Sequence, residues 1–221
     1  MPYRIGSKEI TFDNRNLVGY GKNGNVYKYR KDAIKVFPNG DVPSTLLDVD
    51  TCSKLCDIST NCILLPKNIV YYNNNFSGYT LKLVKRGNNK SIINMDKDDL
   101  VSNVKGIERD VELLSKKGVL LDGILPENVI ISDKIYITDP SKYIIIDSDK
   151  NSLSSFNSYQ IHLLLSNLVL SSLKKTDIKP NELRKLKRLL LSKKENLKSS
   201  DFFNYLIDKD NNIKEYVKKT R

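Results

Sequence analysis

Three glycines within six residues, set between two runs that alternate like β-strands, constrain this chain more than any other feature. The segment is Gly19-Tyr20-Gly21-Lys22-Asn23-Gly24-Asn25-Val26-Tyr27, which fits the pattern G-x-G-x-x-G-x-V. Alone, that pattern serves two architectures. In a βαβ unit the glycines open a helix. Here the residues after Gly24 are β-branched and aromatic and alternate with polar ones, which is the period of a strand. The spacing therefore predicts a strand at Leu17-Val18, a glycine turn and a strand at Val26–Tyr29. The short Arg30-Lys31-Asp32 turn then leads to a third strand at Ala33–Phe37.

The same period places strands at Asn68–Tyr72 and Gly78–Val84, around an Asn73-Asn74-Asn75 turn. Between these strands and the first three, Ser44 is an N-cap candidate for a helix to about Ile58, with Leu47, Leu55 and Ile58 near one face. Residues 85–97 are polar and read as a linker. Beyond them, Leu100, Val104, Ile107, Val111 and Leu114 recur at three- and four-residue spacing, so Asp98–Lys117 is predicted as an amphipathic helix. Val129–Ile131 and Ile135–Thr138 flank Ser132-Asp133-Lys134 as a compact hairpin, and Lys142–Ile146 is a further β-rich run. Helices are expected from Ser155 to Leu173, from Pro180 to Lys194 and from Ser200 onward. The fold class is α+β, with a β-rich lobe over 1–84, a linker over 85–97 and a helical lobe over 98–221.

Charge and cysteine usage narrow the function classes. The chain carries 37 Lys and Arg against 26 Asp and Glu, a net charge of +11. Residues 172–221 hold 15 Lys and Arg against 7 Asp and Glu, so +8 of that excess lies in the last fifty residues. A basic end favours an acidic partner, although the basics alternate with Leu183, Leu186, Leu189, Leu190 and Leu191 as on the wet face of a packed helix. No window approaches a membrane-spanning length of apolar residues, and MPYRIGSKEITF has no apolar leader core, so a cytoplasmic chain is expected. Cys52, Cys56 and Cys62 have no histidine near them in sequence, since the only one is His162. A zinc site needs four converging ligands, so the cysteines read as reduced core residues. His162, in the run Tyr159-Gln160-Ile161-His162-Leu163-Leu164, reads as a buried helix histidine.

The chemistry-bearing stretch is Leu120-Leu121-Asp122-Gly123-Ile124-Leu125-Pro126-Glu127-Asn128-Val129-Ile130. With the glycine turn and Lys35 of Ala33-Ile34-Lys35, it resembles the eukaryotic-like protein kinase family, whose catalytic loop reads H-R-D-L-K-P-E-N-V/I-L. Pro126-Glu127-Asn128 matches the end of that loop, and Ile137-Thr138-Asp139-Pro140-Ser141 stands where the family has D-F-G. The resemblance covers residues 17–140, and small, truncated bacterial kinase-like proteins give a looser likeness. It implies a two-lobed kinase-like fold with a minimal activation segment, binding ATP with Mg2+ or Mn2+ between the lobes. By that likeness, the backbone of Gly19, Gly21 and Gly24 lies against the phosphates and Lys35 offers them its charge. Val26, Ala33 and Leu83 sandwich the adenine, and the backbone of Lys82, Leu83 and Val84 forms a hinge. Asn128 and Asp139 hold the metal, and Asp122 orients or deprotonates the acceptor hydroxyl.

Several positions depart from the family. The slot five residues before Asn128 is Gly123, with Asp122 one position earlier, so Asp122 is either the base on a bulged loop or a cap of that loop. D-F-G has become Asp139-Pro140-Ser141, with Asp147 and Asp149 as rival metal ligands. No glutamate lies between Ile34 and Lys82, leaving Asp48 or Asp50 as the expected partner of Lys35. Only about fifteen residues separate Asp139 from the next helix, too few for a peptide-docking activation segment. Three functions remain open at this point: a phosphotransferase acting on protein Ser/Thr or small-molecule hydroxyls, a pseudokinase that binds ATP or a protein partner, and a basic nucleic-acid-binding protein. The third has Arg184, Lys185, Lys187, Arg188, Lys193, Lys194 and Lys198 but no aromatic stacking platform.

Overall fold

In a computed structural model, residues 2–37, 46–85, 87, 91–174, 178–191 and 198–209 are described. The expected cap Ser44 and the basic residues Lys193 and Lys194 fall outside them. The architecture is α+β. Strands β1 (Tyr3–Ile5), β2 (Lys8–Ile10), β3 (Leu17–Gly21), β4 (Gly24–Tyr29), β5 (Asp32–Val36), β6 (Asn68–Tyr72) and β7 (Asn75–Lys82) form one antiparallel sheet in the order β2-β1-β6-β7-β5-β4-β3. Helix α1 (Val49–Cys56) lies between β5 and β6 in sequence. Then follow α2 (Lys97–Lys116), β8 (Val119–Leu120), β9 (Val129–Ile131), β10 (Ile135–Ile137), β11 (Ile144–Ile145), α3 (Lys150–Leu173), α4 (Pro180–Leu191) and α5 (Ser199–Lys209).

Local chemistry accounts for the turns. Strands β3 and β4 run up to the glycines themselves, so only Lys22 and Asn23 form the connection, and Gly21 pairs with Gly24. A Cβ on Gly24 would lie 2.3 Å from the Val36 carbonyl oxygen, so a side chain there would push β5 away from β4. Asn73 and Asn74 both take positive φ, 49° and 64°, as a tight hairpin between right-twisted strands requires, and β7 begins directly at Asn75. Helix α1 starts later than the sequence suggests because Asp48 caps it, accepting from the Thr51 amide at 2.6 Å.

The sheet has apolar residues on both faces. On one, Ile10, Ile34, Val36 and Val70 are buried beneath Tyr3, Ile5, Phe12, Tyr27 and Tyr29, with the Phe12 and Tyr27 rings stacked at 4.5 Å. The other face joins the main core. Ala33, Phe37, Tyr79 and Leu81 from the sheet share one cluster with Val104, Ile107, Leu114, Ile137 and Leu165 from the second half of the chain. Helix α2 packs on α3 and α5, and α3 on α4. The expected linker contributes too, because Ile92 and Ile93 in a short 3-10 turn are buried. Cys52 and Cys62 are core residues and His162 is buried in α3, as the sequence suggests. No helix among the described residues is long and apolar enough to cross a membrane.

Three polar tethers fix the second half. Asn157 on α3 accepts from the Leu121 amide at 2.9 Å and donates to the Val119 carbonyl at 2.8 Å and to Ser115 at 3.0 Å, pinning β8 and the start of the following loop. Glu108 takes the Ser200 amide and hydroxyl at the start of α5. Asp110 on α2, 3% exposed, accepts from the amides of Asn61, Cys62 and Ile63. That segment forms a parallel bridge from Ile63 to Ile137, with the Ile137 amide donating to Cys62 and the Leu64 amide to Ile137. Asp110→Ala would leave three amides without a carboxylate, at about 1–3 kcal/mol for each group that stays dry. A loss of about 3 kcal/mol in chemical unfolding is the expected outcome, and a loss under about 1 kcal/mol would contradict the tether.

Candidate functional site

The sheet register builds the site. Lys35 on β5 is paired directly with Tyr79 on β7 and with Val26 on β4. Directly opposed residues project to the same face, so Lys35 and Tyr79 both leave the sheet toward the second half of the chain. Close approach of β5 and β7 here needs Gly78, because a Cβ at that position would fall 2.0 Å from the Lys35 carbonyl oxygen.

From the other side, β9 and β10 form the expected hairpin and deliver Thr138 and Asp139. The Thr138 amide and hydroxyl donate to the Asn128 carbonyl at 2.7 and 2.8 Å, so the chain at Asn128 lies against the residue before Asp139. Asp139 has φ 62° and ψ 68°, the left-handed region, which aspartate tolerates better than most residues. It caps the Pro140–Lys142 turn, and the turn is held to the first half by the Leu47 amide donating to the Ser141 carbonyl at 2.7 Å.

These two halves meet in one ion pair. The Lys35 ammonium donates to Asp139 Oδ1, with the lysine side chain 6% exposed and the aspartate 21%. The same oxygen accepts from the Tyr79 hydroxyl at 3.2 Å, the Ser141 hydroxyl at 2.5 Å and the Ser141 amide at 3.4 Å. Lys35 also reaches the Ser141 hydroxyl at 3.5 Å. Oδ2 has no hydrogen-bond partner among the described residues, on a side chain that is only partly exposed. Tyr143, at the end of the same turn, is buried with its hydroxyl unpartnered among the described residues.

Burial and charge compete at each group. Burial draws the Lys35 ammonium below its ordinary value, against the attraction of Asp139. Burial pushes the Asp139 carboxyl up, but the Lys35 ammonium and the Ser141 hydroxyl and amide outweigh it and hold the group below the usual carboxylate value. Burial, and then the negative charge of Asp139, raise the Tyr79 and Tyr143 phenols.

The expected partners of Lys35, Asp48 and Asp50, do not serve. Asp48 is spent on capping α1, and the carboxylate that meets the ammonium is Asp139. The rival metal ligands are placed differently as well: Asp149 caps α3 through the Ser152 amide at 2.8 Å, and Asp147 is exposed. Asn128 donates its amide to the Gly123 carbonyl at 3.2 Å, closing the loop on itself. Asp122 is exposed, and its Oδ1 accepts from the Gly123 amide at 2.7 Å. Gly123 has φ +68°, and a Cβ there would meet the Lys142 side chain at 2.7 Å, so the slot five before Asn128 accommodates no carboxylate without strain. Val26, Leu83 and Val84 are partly buried against the main core and Ala33 is within it. The Leu83 amide donates to the Lys31 carbonyl at 3.4 Å, and the Lys82 ammonium lies over the Tyr136 ring at 5.0 Å. Gly19 and Gly21 have open surroundings, with only Val26 within 4 Å of a Cβ on Gly19.

Sequence reasoning missed Tyr79, Ser141 and Tyr143. The β5–β7 register would have found Tyr79 opposite Lys35, but nothing local marks the serine or the second tyrosine. No protein-family model matches this chain, and no curated protein matches it in sequence.

An ammonium this dry depends on its carboxylate. Removing one partner of a buried pair typically costs about 3–5 kcal/mol. Asp139→Ala should therefore lower unfolding stability by about 3 kcal/mol at neutral pH, and adding Lys35→Met should restore part of the loss. Because the folded Asp139 carboxyl titrates below its ordinary 3.8, the contribution of the pair is present above that value and is lost as pH falls through the lower folded one. Denaturant titrations at about pH 7 and pH 3 check both statements; a double variant no more stable than Asp139→Ala would contradict the pairing.

Proposed function

We propose that this chain is an ATP-dependent phosphotransferase of the protein-kinase-like type, with its nucleotide site around Lys35, Asn128 and Asp139. The observation that carries the reading is the meeting of Lys35 and Asp139. They lie 104 residues apart in sequence, and each stands in its own motif. The chain order of glycine hairpin, strand with Lys35, helix, strand pair, long helix, hairpin and Asp139 is consistent with the series of elements that the likeness implies.

The donor set suits a magnesium nucleotide. Asp139 Oδ2 is without a protein partner among the described residues, and Asn128, whose amide nitrogen is turned to Gly123, keeps its side-chain oxygen as a ligand. Both are hard oxygen donors, and Mg2+ usually takes few protein ligands and completes its shell with phosphate oxygens and water. Bound there, the ion would neutralise charge on the transferring phosphoryl group. Lys35 would hold phosphate oxygens, and Val26, Ala33 and Leu83 would offer an apolar seat for the base. The glycine hairpin would bring backbone rather than side chains to the phosphates. Asp122 is exposed and free to orient an acceptor hydroxyl, at the cost of the cap it gives to Gly123.

A second reading rests on the Gly123 site. With a glycine at position 123 and Asp122 turned to its own loop, the chain would bind nucleotide without transferring phosphate. The two readings part in one assay set. Mg2+- or Mn2+-dependent ATP turnover or autophosphorylation is expected, lowered at least about a hundredfold by Lys35→Met and by Asn128→Ala, the scale set by loss of one charge-stabilising group. A silent wild type that still gains thermal stability with ATP supports the binding module. No thermal shift with any nucleotide would remove both readings.

A further inference from the structure

We propose that Tyr79 is the positioning residue of this site: its hydroxyl, reaching from β7, fixes the Asp139 carboxylate against the Lys35 ammonium, in the place where a helix carboxylate was expected. This role belongs to a residue outside every motif and so goes beyond the phosphotransferase reading. Its catalytic consequence rests on that reading, but its structural half does not.

Helix α1 carries Asp48 and Asp50, and neither makes a hydrogen bond or ion pair to Lys35 among the described residues; Asp48 is held by the Thr51 amide and hydroxyl. The ammonium therefore has one carboxylate, Asp139, which stands on a turn in the left-handed region. A single ion pair fixes a distance and leaves the carboxylate free to rotate about its Cβ–Cγ bond. Two further side-chain donors remove that freedom, the Tyr79 hydroxyl and the Ser141 hydroxyl, both on Oδ1.

Of these, Ser141 is on the same turn and moves with Asp139. Tyr79 belongs to the sheet, is fully buried and sits directly opposite Lys35. Of the two hydroxyls, only that of Tyr79 is itself carried by the sheet that also carries the ammonium, although the Ser141 hydroxyl lies 3.5 Å from the Lys35 ammonium. A buried phenol needs a partner, and Asp139 supplies it. With Oδ1 occupied by Lys35, Tyr79 and Ser141, Oδ2 is the oxygen left for a cation or a ligand, and Tyr79 is the neutral sheet residue that helps set which edge of the carboxylate a ligand meets.

The test uses the full chain without nucleotide. Tyr79→Phe removes one oxygen and keeps the ring. Acetylation by a small N-hydroxysuccinimide ester, followed by mass spectrometry, gives the labelling rate of Lys35 relative to exposed lysines such as Lys150. Loss of one hydrogen bond to a charged group corresponds to about a tenfold effect, so Lys35 labelling should rise about tenfold in Tyr79→Phe. It should stay within about twofold of wild type in Asp50→Asn, which removes no contact to Lys35. An unchanged rate in Tyr79→Phe, or an equal rise in Asp50→Asn, would overturn the proposal.

Should Tyr79→Phe not fold, the wild type decides. A slowly exchanging tyrosine hydroxyl proton with nuclear Overhauser contacts to the Asp139 side chain supports the proposal, and its absence overturns it. A third measurement separates the structural claim from the catalytic one. If wild type binds Mg-ATP, Tyr79→Phe should need roughly tenfold more Mg2+ for half-maximal binding, with excess Mg2+ restoring it. If wild type binds no nucleotide, the phosphotransferase reading falls, while the labelling rates still decide the role of Tyr79.

Discussion

A buried ammonium is the constraint from which the rest of this structure follows. Lys35 is 5% exposed, and a charge that dry persists only where an opposite charge and hydrogen bonds replace its water. The sheet holds no carboxylate for it. Asp139 can supply one only if the chain after β10 is brought to the sheet and held there. The contacts that do so form one connected set: Asp110 gathers the amides at 61–63, that segment bridges to Ile137, and two residues later comes Asp139. The Leu47 amide closes the set on Ser141 from the segment that leads into α1. Apolar burial supplies most of the favourable free energy, since each buried Leu or Ile is worth about 1.5–3 kcal/mol. The polar set determines which face of the sheet meets which turn.

Features that depend on short-range periodicity were legible in the sequence. The three strands around the glycines, α2 and the β9–β10 hairpin follow from spacing alone, because a strand or helix face is written into every second or every third and fourth residue. Boundaries were less legible. Helix α1 begins at Val49 because Asp48, one of two acidic residues expected beside Lys35, is consumed as a cap. Side-chain choice between capping and ion pairing is decided by tertiary distance, to which local pattern is blind. Ile92 and Ile93, within a polar stretch, are buried by α3 for the same kind of reason.

At the candidate site, the sequence marked Lys35, Asn128 and Asp139 through their surroundings of glycine, proline and alternating apolar residues, and the structure brings Lys35 and Asp139 together. The groups that support this pair were not legible. Tyr79 carries no such mark. Its role arises from a register, Lys35 against Tyr79, and from a turn that arrives from 60 residues farther along the chain. Ser141 carries no such mark either, yet its hydroxyl is the shortest neutral contact to the Asp139 carboxylate.

The proline that follows Asp139 can be understood through the same carboxylate. Pro140 fixes its own φ and offers no amide, so the turn that follows Asp139 is set before any ligand arrives. The next amide, that of Ser141, then falls to Asp139 Oδ1. The same turn is tied to the first half of the chain by the Leu47 amide on the Ser141 carbonyl. The ammonium, the phenol and the serine all hold one oxygen of a carboxylate whose backbone is itself constrained. On the phosphotransferase proposal, preorganisation of this kind would lower the cost of ordering charges around a polyanion and its cation.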